Sequence, residues 1–387
     1  MSQDYLRALP NHIRDVLSGI PGVRIEKLEG DVSTRRYFRL QFPENDAAHC
    51  LIDDCSEQAS WQFERPYGFD ANRRSVVAML LPGESPARAS RIIVDVTDYL
   101  ARCGVPVPKV YLAIHEIGFL LIEDLGDIRL FELSAGMSKA ELESAYLKML
   151  EFIHLMQFPG PTIHRDCIAY SYGFTRERFL SELKLFVGAF SQLVLKRELL
   201  ESEQAVVRSA FPVICMELME QERAFTHRDF HSRNIMVWEG EYYVIDHQDA
   251  RLGPLLYDVV SLLYDPYVTL DRESRQELSD YYLRGLPGRS RNSLRSIGIS
   301  RSFDLCIVQR CLKAAGTYAS VALNKKDASY LRFMPVAIWS ALEASKRNGD
   351  LLELSNMLTH WLERAEELAA SHPTRDHQHG VNFPENS

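Results

Sequence analysis

The stretch FTHRDFHSRNIMVWEGEYYVIDHQDA, Phe225 to Ala250, decides how the rest of the chain is read. Asn234 follows Asp229 by five positions, and Asp246 follows Asn234 by twelve. Between them, NIMVW and YYVID flank EGE and read as a short hairpin. A two-stranded hairpin returns the chain to the end from which it left, so Asp246 is expected near Asn234 and Asp229. Two carboxylates and an amide oxygen suit a hard cation such as Mg²⁺, which prefers carboxylates, waters and substrate phosphates. A further carboxylate beside such an ion can take a proton from an attacking hydroxyl or orient it, which is the equipment of phosphoryl transfer. The tripeptide His-Arg-Asp also occurs at His164 to Asp166, but there Ser171 stands five positions after the aspartate. That copy runs into a helical segment with no hairpin after it, so its charges are expected to be solvated.

Working outward, the first twenty residues place Leu6, Leu9, Ile13 and Leu17 on one face of an amphipathic helix. Residues 21–126 follow as a β-rich region. VRIEKLEGD and RRYFRLQF alternate around a Gly-Asp turn, while SVVAMLL, KVYLAIHE and GFLLIED supply further strands around the helical ARASRIIVDVTDYLARCG. The segment 43–74 is too long for an ordinary connection and reads as an insertion, holding a short hairpin or a flap. From 127 to 371 the pattern is helical, with Ser138 a candidate N-cap, and only the 225–250 segment interrupts it. The tail, 372–387, has little apolar content and is expected to be disordered. The fold class is therefore α+β, with a small β-rich N-terminal lobe and a larger helical C-terminal lobe.

Composition narrows the partners. The 53 acidic against 44 basic side chains give a formal net charge of −9, which argues against a nucleic acid or an anionic membrane. Seven cysteines, odd in number and without a CxxC pair, suggest neither a disulfide framework nor a zinc site. The N-terminus lacks the apolar core of a signal peptide, and no apolar run approaches about 18 residues. A cytoplasmic monomer acting on a small molecule is expected.

HRDFHSRN followed by VIDHQDARLGPLLYDVVSLL resembles the aminoglycoside phosphotransferase and choline kinase family, small-molecule relatives of the protein kinases. The resemblance implies a protein-kinase-like two-lobe fold and the use of ATP with Mg²⁺. It implies that Asp229 is the base or hydroxyl-orienting residue and that Asn234 and Asp246 hold the metal on the nucleotide phosphates. His227 would support the loop, and Asp258 resembles the family's buried aspartate that ties it down. Backbone groups of Glu123 and Leu125, in LLIEDLGD, would meet the adenine edge. Ser33 and Thr34 occupy the place of the phosphate-covering loop, with Arg35 or Arg36 assisting. The third strand has Met79 where many members have a phosphate-gripping lysine, and His247 stands where an aromatic residue is common.

One subfamily is more similar than the others. GDVSTRRYFRL, the strand without lysine, VPVPKVY and GFLLIEDLGD are similar to the bacterial anomeric kinases of N-acetylmuramate and N-acetylglucosamine in cell-wall recycling. The resemblance implies an amino-sugar kinase acting on the anomeric hydroxyl. A kinase of choline or another amino alcohol, or of an aminoglycoside, is the alternative within the fold. A catalytically silent nucleotide-binding regulatory protein is the alternative outside enzymes, favoured by the missing lysine and opposed by the intact Asp229, Asn234 and Asp246.

Overall fold

A computed structural model of the protein describes residues 13–15, 17, 22–28, 35–43, 63–64 and 74–372. Ser33 and Thr34, most of the 43–74 insertion, and the tail after 372 lie outside the described residues, as does most of the expected N-terminal helix. The chain divides into two compact units. One takes the described residues up to Ile128 together with Asp166–Ile168 and Met236–Gln248; the other takes Arg129–Arg165, Ala169–Ile235 and the chain from Asp249 onward.

The first unit is built on an antiparallel sheet. Its strands are β1 (Arg24–Leu28), β2 (Arg36–Gln41), β3 (Phe63–Glu64), β4 (Ser75–Leu80), β5 (Val110–Ile114) and β6 (Phe119–Glu123), in the order β1-β2-β4-β6-β5-β3. Alternation in β1 and β2 buries Ile25, Phe38 and Leu40 on one face, and Ile13 and Leu17 pack into the same cluster. On the other face Ile93 and Val94 of α1 (Pro86–Arg102) pack among Met79, Val110, Ala113 and Leu120. The insertion contributes β3, which pairs with β5 at the edge of the sheet.

The hairpin read from the sequence is present as β8 (Ile235–Trp238) and β9 (Glu241–Val244). Its place corrects the expected boundary, because it groups with the sheet unit and not with the helical one. The reason is local: Val244 donates its N–H to the Pro106 carbonyl at 2.8 Å, and Val237 donates to Ile128 at 2.8 Å. Gly126, at φ +72°, lies against the Trp238 ring, so a Cβ there would come within 3.0 Å of it.

The second unit is helical: α2 (Leu130–Ser134), α3 (Lys139–Gln157), α4 (Arg176–Phe190), α5 (Glu201–Glu220), α6 (Tyr257–Leu263), α7 (Arg272–Gly285), α8 (Gly288–Ile297), α9 (Ile299–Lys325), α10 (Met334–Lys346) and α11 (Leu352–Ala370). It also holds the pair β7 (Arg223–Thr226) and β10 (Arg251–Pro254). Ser138 caps α3 as expected: its hydroxyl accepts from Glu141 N–H while the Glu141 carboxylate accepts from Ser138 N–H. α9 is buried on most of its circumference and packs on α4 and α10. Phe186 and Phe190 of α4 meet Trp361 of α11, the Phe190 and Trp361 rings stacking at 4.9 Å.

Among the described residues no helix is long and apolar enough to cross a membrane. The described cysteines, Cys103, Cys167, Cys215, Cys306 and Cys311, are free and buried. At the crossing of α9 and α4 a Cβ on Gly316 would stand 2.6 Å from the Phe186 Cα, a backbone atom that cannot step aside. Gly316→Ala is therefore expected to cost about 2 kcal/mol or more, read as a lower urea midpoint with little change in slope.

Candidate functional site

The loop from Thr226 to Asn234 leaves the β7–β10 pair, in which Thr226 stands opposite Arg251. Arg228 lies at φ +85°, a left-handed conformation that costs a non-glycine residue roughly 1–3 kcal/mol. Asp258, fully buried in the first turn of α6, offsets that cost. Its Oδ2 accepts from the His227 main-chain N–H at 2.6 Å and its Oδ1 from the Arg228 N–H at 2.9 Å. Burial nevertheless dominates its ionisation, pushing the carboxyl up to about 7.

A second buried aspartate, which the sequence did not single out, holds the far end of the loop. Asp265 Oδ2 accepts from the Ser232 N–H and hydroxyl, and Oδ1 from the Tyr267 N–H, all within 2.9 Å. Burial pushes it up to about 6. The His227 side chain is buried edge-on to Phe230.

Asp229 and Asn234 are brought together. The Asn234 Nδ2 donates to the Asp229 main-chain carbonyl at 2.9 Å, which fixes the amide and leaves its Oδ1 as an acceptor. The Asp229 carboxylate meets two cations absent from the sequence reading. Lys313 Nζ lies 2.8 Å from Oδ1, and Arg310 Nη2 lies 3.5 Å from the same oxygen. Both come from α9, three positions apart and so on one face. Burial alone would raise Asp229, but Lys313, Arg310 and Arg228 outweigh it and hold the carboxyl well below the ordinary range.

In the sheet unit, Asp246 follows β9 at φ +64°, a second left-handed non-glycine position. Its Oδ1 accepts from Arg35 Nη1 at 2.6 Å and from Gln248 Nε2 at 2.8 Å. Arg35 thus reaches the aspartate, whereas Arg36 is an exposed residue at the start of β2. His247 is buried and shares a 2.7 Å hydrogen bond with Thr97 of α1. Met79 is also buried, opposite Tyr37 and Leu120 in the sheet.

Glu123 ends β6. Its N–H donates to the Lys109 carbonyl and its carboxylate accepts from the Lys109 N–H. The following turn is clamped by an arginine the sequence reading passed over: Arg39 binds Asp124 through Nε at 2.8 Å and Nη2 at 3.1 Å, and also binds Asp127. Leu125 is buried inside that clamp, and its N–H donates to no described residue. The other His-Arg-Asp copy is of a different kind: Asp166 is exposed and paired with Arg102 on α1.

The sequence signature of the phosphotransferase enzyme family matches residues 56–292, more than half of the chain. A protein of Neisseria meningitidis named N-acetylmuramate/N-acetylglucosamine kinase is 28% identical over 66% of this chain and 75% of its own length. One of the same name from Pseudomonas aeruginosa is 29% identical over 76% of this chain and 85% of its own length. Among solved structures, an ADP-bound aminoglycoside phosphotransferase aligns with TM-score 0.53 at 15% identity, over 90% of this chain and 99% of that one. A choline/ethanolamine kinase family protein from Mesorhizobium loti aligns with TM-score 0.50 at 13% identity, over 94% and 97%. These structures show the fold alone, and with it the expected kinase-like α+β class stands.

The elevated Asp258 carboxyl has a measurable consequence. The folded protein binds that proton up to about pH 7, the unfolded chain only to about pH 4. Across that window the contribution of Asp258 to stability falls as pH rises, and it is flat above pH 7. The stability gap between the wild type and Asp258→Asn, from urea midpoints at pH 5 and pH 8, is expected to shrink toward pH 8. A constant gap would contradict burial as the dominant influence.

Proposed function

We propose that this chain, which belongs to the phosphotransferase enzyme family, transfers the γ-phosphoryl group of ATP to the anomeric hydroxyl of N-acetylmuramate or N-acetylglucosamine. The observation that carries the chemistry is the state of Asp229: its Oδ1 is held by Lys313 and Arg310, and its Oδ2 has no partner among the described residues. A carboxylate held so strongly in its ionised form is a weak base, suited to orienting a hydroxyl more than to removing its proton early. An anomeric hydroxyl, more acidic than other sugar hydroxyls because the ring oxygen shares its carbon, needs the least help of that kind. The substrate class itself is supported by similarity to the named kinases over three quarters or more of their length.

The remaining roles follow as part of the same reading. Asn234 Oδ1 and the Asp246 carboxylate would hold Mg²⁺; both are hard oxygen donors, and the Asn234 nitrogen is already occupied by the Asp229 carbonyl. When bound, the ion neutralises phosphate charge. Arg35, within 2.6 Å of Asp246, is the better candidate of the two arginines to stand in for the missing lysine, together with Ser33 and Thr34. Adenine would meet the main chain of Glu123 and Leu125, where the Arg39 clamp fixes the turn and the Leu125 N–H donates to no described residue.

Asp229→Asn is expected to lower kcat by about 10²–10⁴-fold while calorimetry shows Mg-ATP binding close to wild type. Asp246→Asn is expected to weaken Mg-ATP binding and turnover together. Release of ADP with a panel of amino sugars, amino alcohols and aminoglycosides tests the acceptor. Turnover of choline or an aminoglycoside in place of the sugars would overturn the sugar assignment. Mg-ATP binding without turnover of any acceptor would favour the non-catalytic reading.

A further inference from the structure

The charges around Asp229 do not balance in pairs. Arg228, in the loop, pairs with Glu182 of α4 at 3.2 Å and Asp249 at 3.2 Å, and these carboxylates also serve Arg178 and Arg251. Glu182 is further engaged by Gln309 of α9 through its other oxygen. Asp258 and Asp265 turn their oxygens to loop main-chain N–H groups and the Ser232 hydroxyl. His231 is held neutral by burial and by Arg310. Two buried cations, Arg310 and Lys313, are thus left with one carboxylate between them, and among the described residues neither has another ion-pair partner. Arg310 is anchored from behind by the Ser261 hydroxyl, which accepts from its Nε at 3.0 Å. Lys313, with an 11% exposed side chain, has no such second anchor.

A buried positive charge without a matching anion is costly, and the cost is removed when an anion arrives. Both cations lie on the Oδ1 side of Asp229, so its Oδ2 is left for a hydroxyl. We propose that Lys313 is an oxyanion-binding residue of the transfer site: it fixes Asp229 through Oδ1 and offers the surplus positive charge, shared with Arg310, to an oxyanion brought by the reactants. The acceptor oxygen forms its bond to the γ-phosphorus as the bond to the β-phosphate oxygen breaks, nucleoside diphosphate leaves with that electron pair, and the hydroxyl proton passes to Asp229 Oδ2. The oxyanion has two possible sources, the transferring phosphoryl group or a carboxylate on the acceptor. The inference rests on Asp229 being the acceptor-orienting residue and does not depend on which acceptor is used.

The test is the kcat and KM of Lys313→Met and Lys313→Arg with Mg-ATP, on N-acetylmuramate, which carries a carboxylate, and N-acetylglucosamine, which does not. A loss of about 100-fold in kcat on both sugars, partly restored by arginine and without a matching fall in Tm, is expected if the oxyanion is the phosphoryl group. A loss confined to N-acetylmuramate and expressed mainly in KM assigns the oxyanion to the acceptor carboxylate. Activity within about threefold of wild type on both sugars, or a loss that tracks the unfolded fraction, overturns the proposal. Should Lys313→Met fail to fold, the Asp229→Asn/Lys313→Met pair removes both charges. Activity below that of Asp229→Asn alone supports oxyanion binding, and no further loss overturns it. If the wild type uses neither sugar, the acceptor found in the panel replaces them, so the sugar assignment can fail while Lys313 is still tested.

Discussion

The two hydrogen bonds that the Asp258 side chain accepts from consecutive main-chain N–H groups, those of His227 and Arg228, are the constraint on which the site depends. They stabilise a left-handed arginine that a free loop would not adopt. By fixing the peptide before Asp229 they set the direction in which that side chain leaves the loop. Asp265 does the same for Ser232, two positions before Asn234. Both anchors come from the segment that follows β10, so the strand pair, the loop and its supports all belong to the second unit, on either side of the hairpin excursion at 236–248.

A loop pinned in this way can carry an unusual charge distribution without rearranging. Asp229 sits among Lys313, Arg310 and Arg228, which together hold its carboxyl well below the ordinary range. In water the same groups would be screened and mobile. Here Lys313 and Arg310 are positioned by α9, whose fit against α4 at Gly316 and Phe186 leaves no slack. Packing in the helical core and electrostatics at the loop are therefore one problem, since α9 supplies both the close-packed glycine and the cations.

The segment from Asp229 to Asp246 was legible as a loop and hairpin because its information is local. Asp229, Asn234, the hairpin and Asp246 lie within about twenty residues, and turn and strand patterns are short-range signals. Asp258 was singled out through resemblance, and its two oxygens accept from the His227 and Arg228 main-chain N–H groups. Lys313 and Arg310 were not legible, because they reach Asp229 from more than eighty positions away and their helix is apolar around most of its circumference. Arg39 was passed over for a similar reason, since alternation in β2 says which face is buried but not that an arginine on it will find Asp124. The hairpin's type was read correctly and its grouping was not, as Val237 and Val244 choose their partners at Ile128 and Pro106 by tertiary contact.

The division of the chain carries a consequence for how it is made. The polypeptide changes unit at 128/129, 165/166, 168/169, 235/236 and 248/249. The sheet unit therefore lacks β9 and Asp246 until the ribosome has passed residue 248, long after its other strands have emerged. During synthesis Trp238 is not yet present to cover Gly126, and the carbonyls of Pro106 and Ile128 wait for their donors. A unit completed by a segment that begins more than a hundred residues after Ile128 can finish folding only once most of the chain has been made.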